Sequence, residues 1–247
     1  MNDGARWFGF LAALAFGLTP WAACSAQHGQ VAEFPQWQGS GRAEVYAHLE
    51  QAMGERRVLM FGELHGTVEA PELLAGFVAF LRARGRQVVV ALELPHTEQA
   101  LLDSADRQEM QALAENSAFW RGVRDGRSSE AVMEAIASIR AGGTPIVAFD
   151  VDHPQGVSRS ERMARYIRET VERADGKTVV TFGGNFHTAP PSISQTNMVS
   201  QLQDIPALIV NLAARRGSHW GCVVGEDGRP SCGLQEFRRH LQVDTDA

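Results

Sequence analysis

Concentrated positive charge is missing from this chain. Twenty-three Lys and Arg residues stand against 29 Asp and Glu, giving a formal net charge of −6. The basic residues are scattered through segments of helical pattern, so the electrostatic grip that a nucleic-acid partner requires is lacking. Cysteine is scarce, at three residues. Several catalytic signatures are also absent: there is no G-x-S-x-G elbow for a serine nucleophile, no H-E-x-x-H helix for a zinc peptidase, and neither the Walker nor the dinucleotide-binding glycine pattern. No internal repeat or low-complexity tract is visible.

At 247 residues the chain is long enough for one sizeable α/β core. Its beginning differs from the rest. Arg6 leads into the apolar stretch Trp7 to Leu18 and then into the small residues of "WAACSAQ", the layout of a secretory signal rather than of a membrane-spanning helix. The expected organisation is a signal peptide over residues 1–26, an exposed polar lead-in over 27–41, and a single α/β domain over 42–247. Cleavage after Ala26 gives a soluble exported protein. Cleavage before Cys24 gives a lipoprotein, and a lipidated Cys24 is then the expected means of membrane attachment. Either route places the domain in the bacterial cell envelope, periplasmic or membrane-anchored, and removes Cys24 from the pairing pool. Cys222 and Cys232 remain as an even pair in an oxidising compartment. They flank "VVGEDGRPS", whose centre is turn chemistry between two extended runs, so a disulfide across a C-terminal hairpin is expected.

Between these ends, helical and extended patterns alternate. A helix over Arg42 to Met53 precedes a strand over Val58 to Glu63, and Pro71 to Arg84 follows with Leu73, Leu74, Phe77, Val78 and Leu81 on one helical face. Gly85 ends that helix, and Val88 to Leu94 is a nearly unbroken aliphatic run of the kind buried on both faces of a parallel sheet. Residues from Thr97 to about Arg140 read as several helices, interrupted near "RGVRDGRSS", part of them a cap over one end of the sheet. Further strands are expected over Ile146 to Val151, Val179 to Phe182 and Ala207 to Leu212, with a helix over Ser158 to Ala174. Strands alternating with helices imply an α/β fold: a mostly parallel central sheet flanked by helices, with a helical cap and the disulfide-linked β-hairpin appended.

Each apolar run breaks at its end into polar residues: Glu63 and His65 in "RVLMFGELHGT", Glu93 and His96 in "VVVALELPH", Asp150, Asp152 and His153 in "PIVAFDVDH", Asn185 and His187 in "TVVTFGGNFHT". In open parallel sheets ligands bind outside the carboxyl ends of the strands, and residues two apart on an extended segment face the same side. Four such breaks at one edge describe a shared site, with Gly62, Gly66, Gly183 and Gly184 permitting close approach of a ligand or a sharp turn. Two chemistries fit. Glu63 and His65 can act as a general acid/base pair on water, with His187 completing the site, or His65, His187, Glu63 and Asp150 can hold a divalent metal whose bound water is the nucleophile. The bland alternatives are that Glu63 and His65 cap the turn after the strand, that Glu93 pairs with an arginine on a neighbouring helix, and that Asp150 and Asp152 cap the next turn. His96 and His153 read as surface loop residues.

The elements "FGELHG" and "GGNFHT" together resemble the motif pair of the erythromycin-esterase-like, ChaN-like and TraB/TIKI superfamily, and "SRSERMARYI" is similar to its R-x-x-x-M-A segment, matched here by Arg159, Met163 and Ala164. The resemblance runs from about residue 57 to about 190. It implies this fold and a site at Glu63, His65 and His187, with Asp150 and Arg159 beside them, and activities that include ester hydrolysis, metal-dependent proteolysis and haem binding linked to iron uptake. Glu63 stands where the TIKI-like motif has Thr, which points away from the metal-dependent protease branch. The chain is also shorter than the macrolide-inactivating esterases. The expected function is therefore an exported hydrolase cleaving an ester or amide bond in a small-molecule or peptide substrate, with Glu93, Asp152, Arg159 and Asn185 as secondary site candidates. The alternative is a haem- or metal-binding ChaN-like (lipo)protein, with His65 or His187 as ligand.

Overall fold

The computed structural model describes residues 41–122, 125–150, 156–189, 197–213, 216–224 and 230–238. The expected signal peptide and nearly all of the lead-in segment lie outside these residues, as do Asp152 and His153.

Five strands form one parallel sheet: β1 Val58–Glu63, β2 Val88–Pro95, β3 Ile146–Asp150, β4 Thr178–Gly184 and β5 Ala207–Asn211, in the order β3-β2-β4-β1-β5. Every residue of β1 and β4 is buried, because helices cover both faces and the period of two sends alternate side chains into separate cores. On one side Leu59 and Phe61 of β1 join Val90 and Leu92 of β2. There they pack with residues of the helices α1 Arg42–Met53, α2 Glu69–Ala83 and α6 Glu130–Ala141. On the other, Val58, Met60, Val89 and Ala91 meet Met163, Ala164 and Ile167 of α7 Arg159–Arg173. Ser158 caps α7 by accepting from the Glu161 backbone N–H.

The long expected helical region resolves into a 3₁₀ turn at His96–Glu98 and three short helices, α3 Gln99–Asp103, α4 Arg107–Asn116 and α5 Ala118–Gly122, before α6. A short helix, α8 Asn185–Thr188, follows β4 directly. The C-terminal hairpin is longer than its turn signal suggested: β6 Arg216–Val224 pairs antiparallel with β7 Pro230–Arg238, and Cys222 and Cys232 stand opposite each other, joined by a disulfide.

Parallel register aligns the carboxyl ends of the strands. Glu63 on β1 lies opposite Gly184 on β4, and Asp150 on β3 opposite Pro95 on β2. The polar ends of four strands thus come to one edge.

Candidate active site

β1 carries Glu63 out of the core at 4% exposure. Its Oε1 is in contact with Nδ1 of His65. The carboxylate accepts, so Nδ1 carries the proton and Nε2 is left as the basic nitrogen. Oε2 of Glu63 is buried and has no hydrogen-bond partner among the described residues. Burial pushes the Glu63 carboxyl above the usual range, outweighing the pull of His65. For His65, burial acts downward but is outweighed by the hydrogen bond and charge of Glu63 and the charges of Glu93 and Asp125, so its affinity for a proton is raised. The pair therefore retains its shared proton to higher pH than a free imidazole would.

Glu93, at the end of β2, is the hub. Its Oε2 accepts from the Gly184 backbone N–H at 2.6 Å and lies 3.8 Å from His65 Nε2. Its Oε1 is 2.6 Å from Arg159 Nη2, 3.4 Å from Arg127 Nη1 and 3.4 Å from His187 Nε2. Burial works against its ionised form but is overcome by the His187 hydrogen bond and the charges of His65, His187 and Arg127, which hold the carboxyl well below the usual range. Asp150 is gripped from two sides: Arg159 donates through Nε and Nη2, each at 2.8 Å, and Arg127 through Nη1 at 2.6 Å. Arg127 is fixed in turn by Asp125, whose carboxylate accepts from its Nε at 2.8 Å and its backbone N–H at 3.1 Å. On α8, His187 is 6% exposed. Its Nε2 sits 3.3 Å from Arg159 Nη1, and its Nδ1 is buried without a partner among the described residues.

These groups open on a cleft of about 390 Å³ lined by Glu63, His65, Glu93, Arg127, Asn185 and His187, among others. The fourth wall is the hairpin, through His219, Gly221 and Cys222. It docks where the Trp220 backbone N–H donates to Gly66 O at 3.1 Å. Gly66 has φ +86°, and a Cβ there would come within 2.1 Å of the Trp220 carbonyl oxygen. This position needs glycine both for its backbone conformation and for the approach of the hairpin.

The structure thus gathers Glu63, His65, Glu93, Asp150, Arg159, Asn185 and His187 at one edge. His96 faces outward beside Tyr166, ring centroids 4.0 Å apart. The glycines make room for the protein's own groups: a Cβ on Gly184 would lie 2.8 Å from His65 Nε2. The four metal donors His65, His187, Glu63 and Asp150 do not form a group suited to a metal ion among the described residues. Both Asp150 oxygens are turned to guanidiniums, and Glu63 Oε1 is taken by His65. Arg127, Asp125 and the hairpin wall were not foreseen. The one signal for the first two was the "RDGR" interruption of the helical pattern.

No family model and no curated protein matches the chain. Among solved structures, a protein from Bacillus cereus superposes with a TM-score of 0.51 at 8% identity, over 78% of this chain and 73% of that one. This likeness shows a shared fold. ChaN of Campylobacter jejuni, solved with cofacial haem, gives a TM-score of 0.46 at 15% identity over 72% of this chain and 88% of its own. The type III effector HopBA1 gives 0.44 at 16% over 66% and 81%.

Proposed function

We propose that this protein is an exported hydrolase of the erythromycin-esterase-like, ChaN-like and TraB/TIKI superfamily, cleaving an ester or amide bond with water activated by the Glu63–His65 pair. The observation that supports this reading above the others is the contact between the two side chains at the mouth of a cleft that also presents His187 and Arg159. Carboxylate on Nδ1 leaves Nε2 to take a proton from water, the arrangement of a general base held by an orienting acid. The resulting hydroxide adds to the substrate carbonyl. The oxyanion that forms meets an N–H of the part-exposed Arg159 guanidinium. As the tetrahedral adduct collapses, the His65 imidazolium returns its proton to the leaving alcohol or amine, so one water is consumed and acid plus alcohol or amine are released. Glu93 neither attacks nor shuttles a proton on this reading. It positions both imidazoles and the two arginines.

The test is turnover by the purified mature domain on a panel of activated esters and peptide amides, beside His65→Ala and Glu63→Gln, with circular dichroism to confirm folding. Loss of a general base costs about 10²–10⁴-fold, and His65→Ala is expected to fall at least that far while remaining folded. A fully active His65→Ala sinks the assignment. A haem titration runs in parallel: no turnover on any substrate, with a sharp haem absorption band lost in His65→Ala or His187→Ala, would replace the hydrolase with a carrier.

A further inference from the structure

Beside the cleft lies a larger groove, about 890 Å³, walled by the segment from Pro95 through α3 and by the ends of α4 and α5. It shares Arg127 and Arg159 with the cleft, so a ligand lying in it would reach the two guanidiniums that border His187 and Glu93. Its volume falls within the range typical of small-molecule sites. Its apolar lining comes from Leu101, Leu113 and Phe119, and the Phe119 ring packs beneath the Arg127 guanidinium at 5.6 Å.

One polar side chain in that wall is out of keeping with the rest. Glu98 is only 6% exposed. Both of its hydrogen bonds go to Oε1, from Ser117 Oγ at 2.8 Å and Thr97 Oγ1 at 3.2 Å. No Lys, Arg or His among the described residues pairs with it. The two arginines of the groove cannot serve, since they are already engaged by three carboxylates, Glu93, Asp125 and Asp150. Oε2 of Glu98 has no hydrogen-bond partner among the described residues, which leaves a charged acceptor at the wall of the groove for a cationic group. The Ser117 hydrogen bond of Glu98 ties this segment to the end of α4, but catalysis as derived above does not use the carboxylate.

We propose that the groove is a binding subsite for an apolar group bearing a protonated amine, with the ammonium on Glu98 and the apolar body against Leu101, Leu113 and Phe119. On the hydrolase reading, on which this last step rests, that group is the remote part of the substrate. Its scissile bond then lies in the cleft beyond Arg127 and Arg159. The substrate class is an amine-bearing amphiphilic ester or amide.

The experiment is calorimetric or ligand-observed NMR binding of 2-phenylethylamine and its neutral analogue 2-phenylethanol to the mature protein, Glu98→Gln, Leu113→Trp and His65→Ala. Glu98→Gln keeps an oxygen to accept from Ser117 and Thr97 and removes only the charge. The amine is expected to bind the wild-type protein more tightly than the alcohol, and to lose about tenfold or more in Glu98→Gln, with the alcohol little changed. Leu113→Trp, which fills the groove from its half-buried rim, is expected to weaken both. Equal binding of amine and alcohol to the wild-type protein overturns the proposal, as does an amine affinity untouched by Glu98→Gln or by Leu113→Trp. His65→Ala separates the two readings: amine binding retained there, with no turnover in the wild-type protein, removes the hydrolase and leaves the subsite. Turnover without amine selectivity does the reverse.

Discussion

Arg159→Met tests the charge network where it is most concentrated. The substitution keeps an apolar stem of similar length and deletes three charge-assisted hydrogen bonds, two to Asp150 at 2.8 Å and one to Glu93 at 2.6 Å. Taken singly, such bonds contribute about 1.5–3 kcal/mol each. They do not add here, because Arg127 stays 2.6 Å from Asp150 and 3.4 Å from Glu93. The guanidinium is also a third exposed, so water compensates in part. Breaking a buried ion pair costs about 3–5 kcal/mol, and the remaining arginine places this case at the lower end, about 3 kcal/mol at pH 7. In urea unfolding with the disulfide intact, a slope of about 2–3 kcal/mol per molar converts that into a midpoint lowered by about 1–1.5 M. The pH dependence carries a sign. Glu93 has a folded-state proton affinity depressed below its ordinary value. Its contribution is therefore present above the unfolded pKa of about 4.3 and disappears as pH falls through the folded value. The deficit of Arg159→Met should shrink below about pH 4, where the carboxyl left short of a partner takes up a proton. A midpoint shift under about 0.3 M at pH 7, or a deficit that does not change down to the acid limit, would refute the network as described.

Two further outcomes follow from the geometry. In Glu63→Gln the carboxylate that raises the proton affinity of His65 is gone while burial, which lowers it, remains. The ascending limb of kcat/KM against pH should then move to lower pH as the plateau drops; a limb that stays in place would remove Glu63 from its role. Cys222→Ser with Cys232→Ser releases a link spanning ten residues, a loss of about 2–3 kcal/mol in the chain-entropy account. Because Gly221 and Cys222 line the cleft, turnover should fall with it, and a variant of unchanged kcat/KM would show that the hairpin is no wall of the site.

The sheet was legible because parallel strands buried on both faces must be almost wholly apolar, so runs such as "VVVAL" and "TVVTF" have few other readings. For the same reason a carboxylate in or beside such a run is conspicuous. Glu63, Glu93 and Asp150 each interrupt a hydrophobic pattern, and all three converge at one edge. β2 and β4 run one or two residues past their expected ends, where backbone pairing continues past the last apolar side chain, and β5 ends one residue early, at Asn211.

The cationic half of the site was far less visible. Arg159 is the first residue of an ordinary amphipathic helix and was picked out only by its likeness to a family segment. Arg127 follows a glycine with φ +93° in a polar turn, a composition shared by most solvated loops. Nothing local distinguishes it; what assigns it to the site is the docking of that turn onto Gly66, where a Cβ on Gly126 would come within 2.3 Å of the Gly66 backbone nitrogen. The hairpin was opaque for a related reason: its cysteine pair and turn specify its internal register, but where it docks is decided by the Gly66 contact, a long-range event without a periodic signature. A buried carboxylate reveals itself by breaking an apolar run, whereas its arginine arrives from a segment where charge is normal. For the pairs that Glu93 and Asp150 make with Arg127, the sequence therefore shows the carboxylate, and only the fold shows which cation completes it.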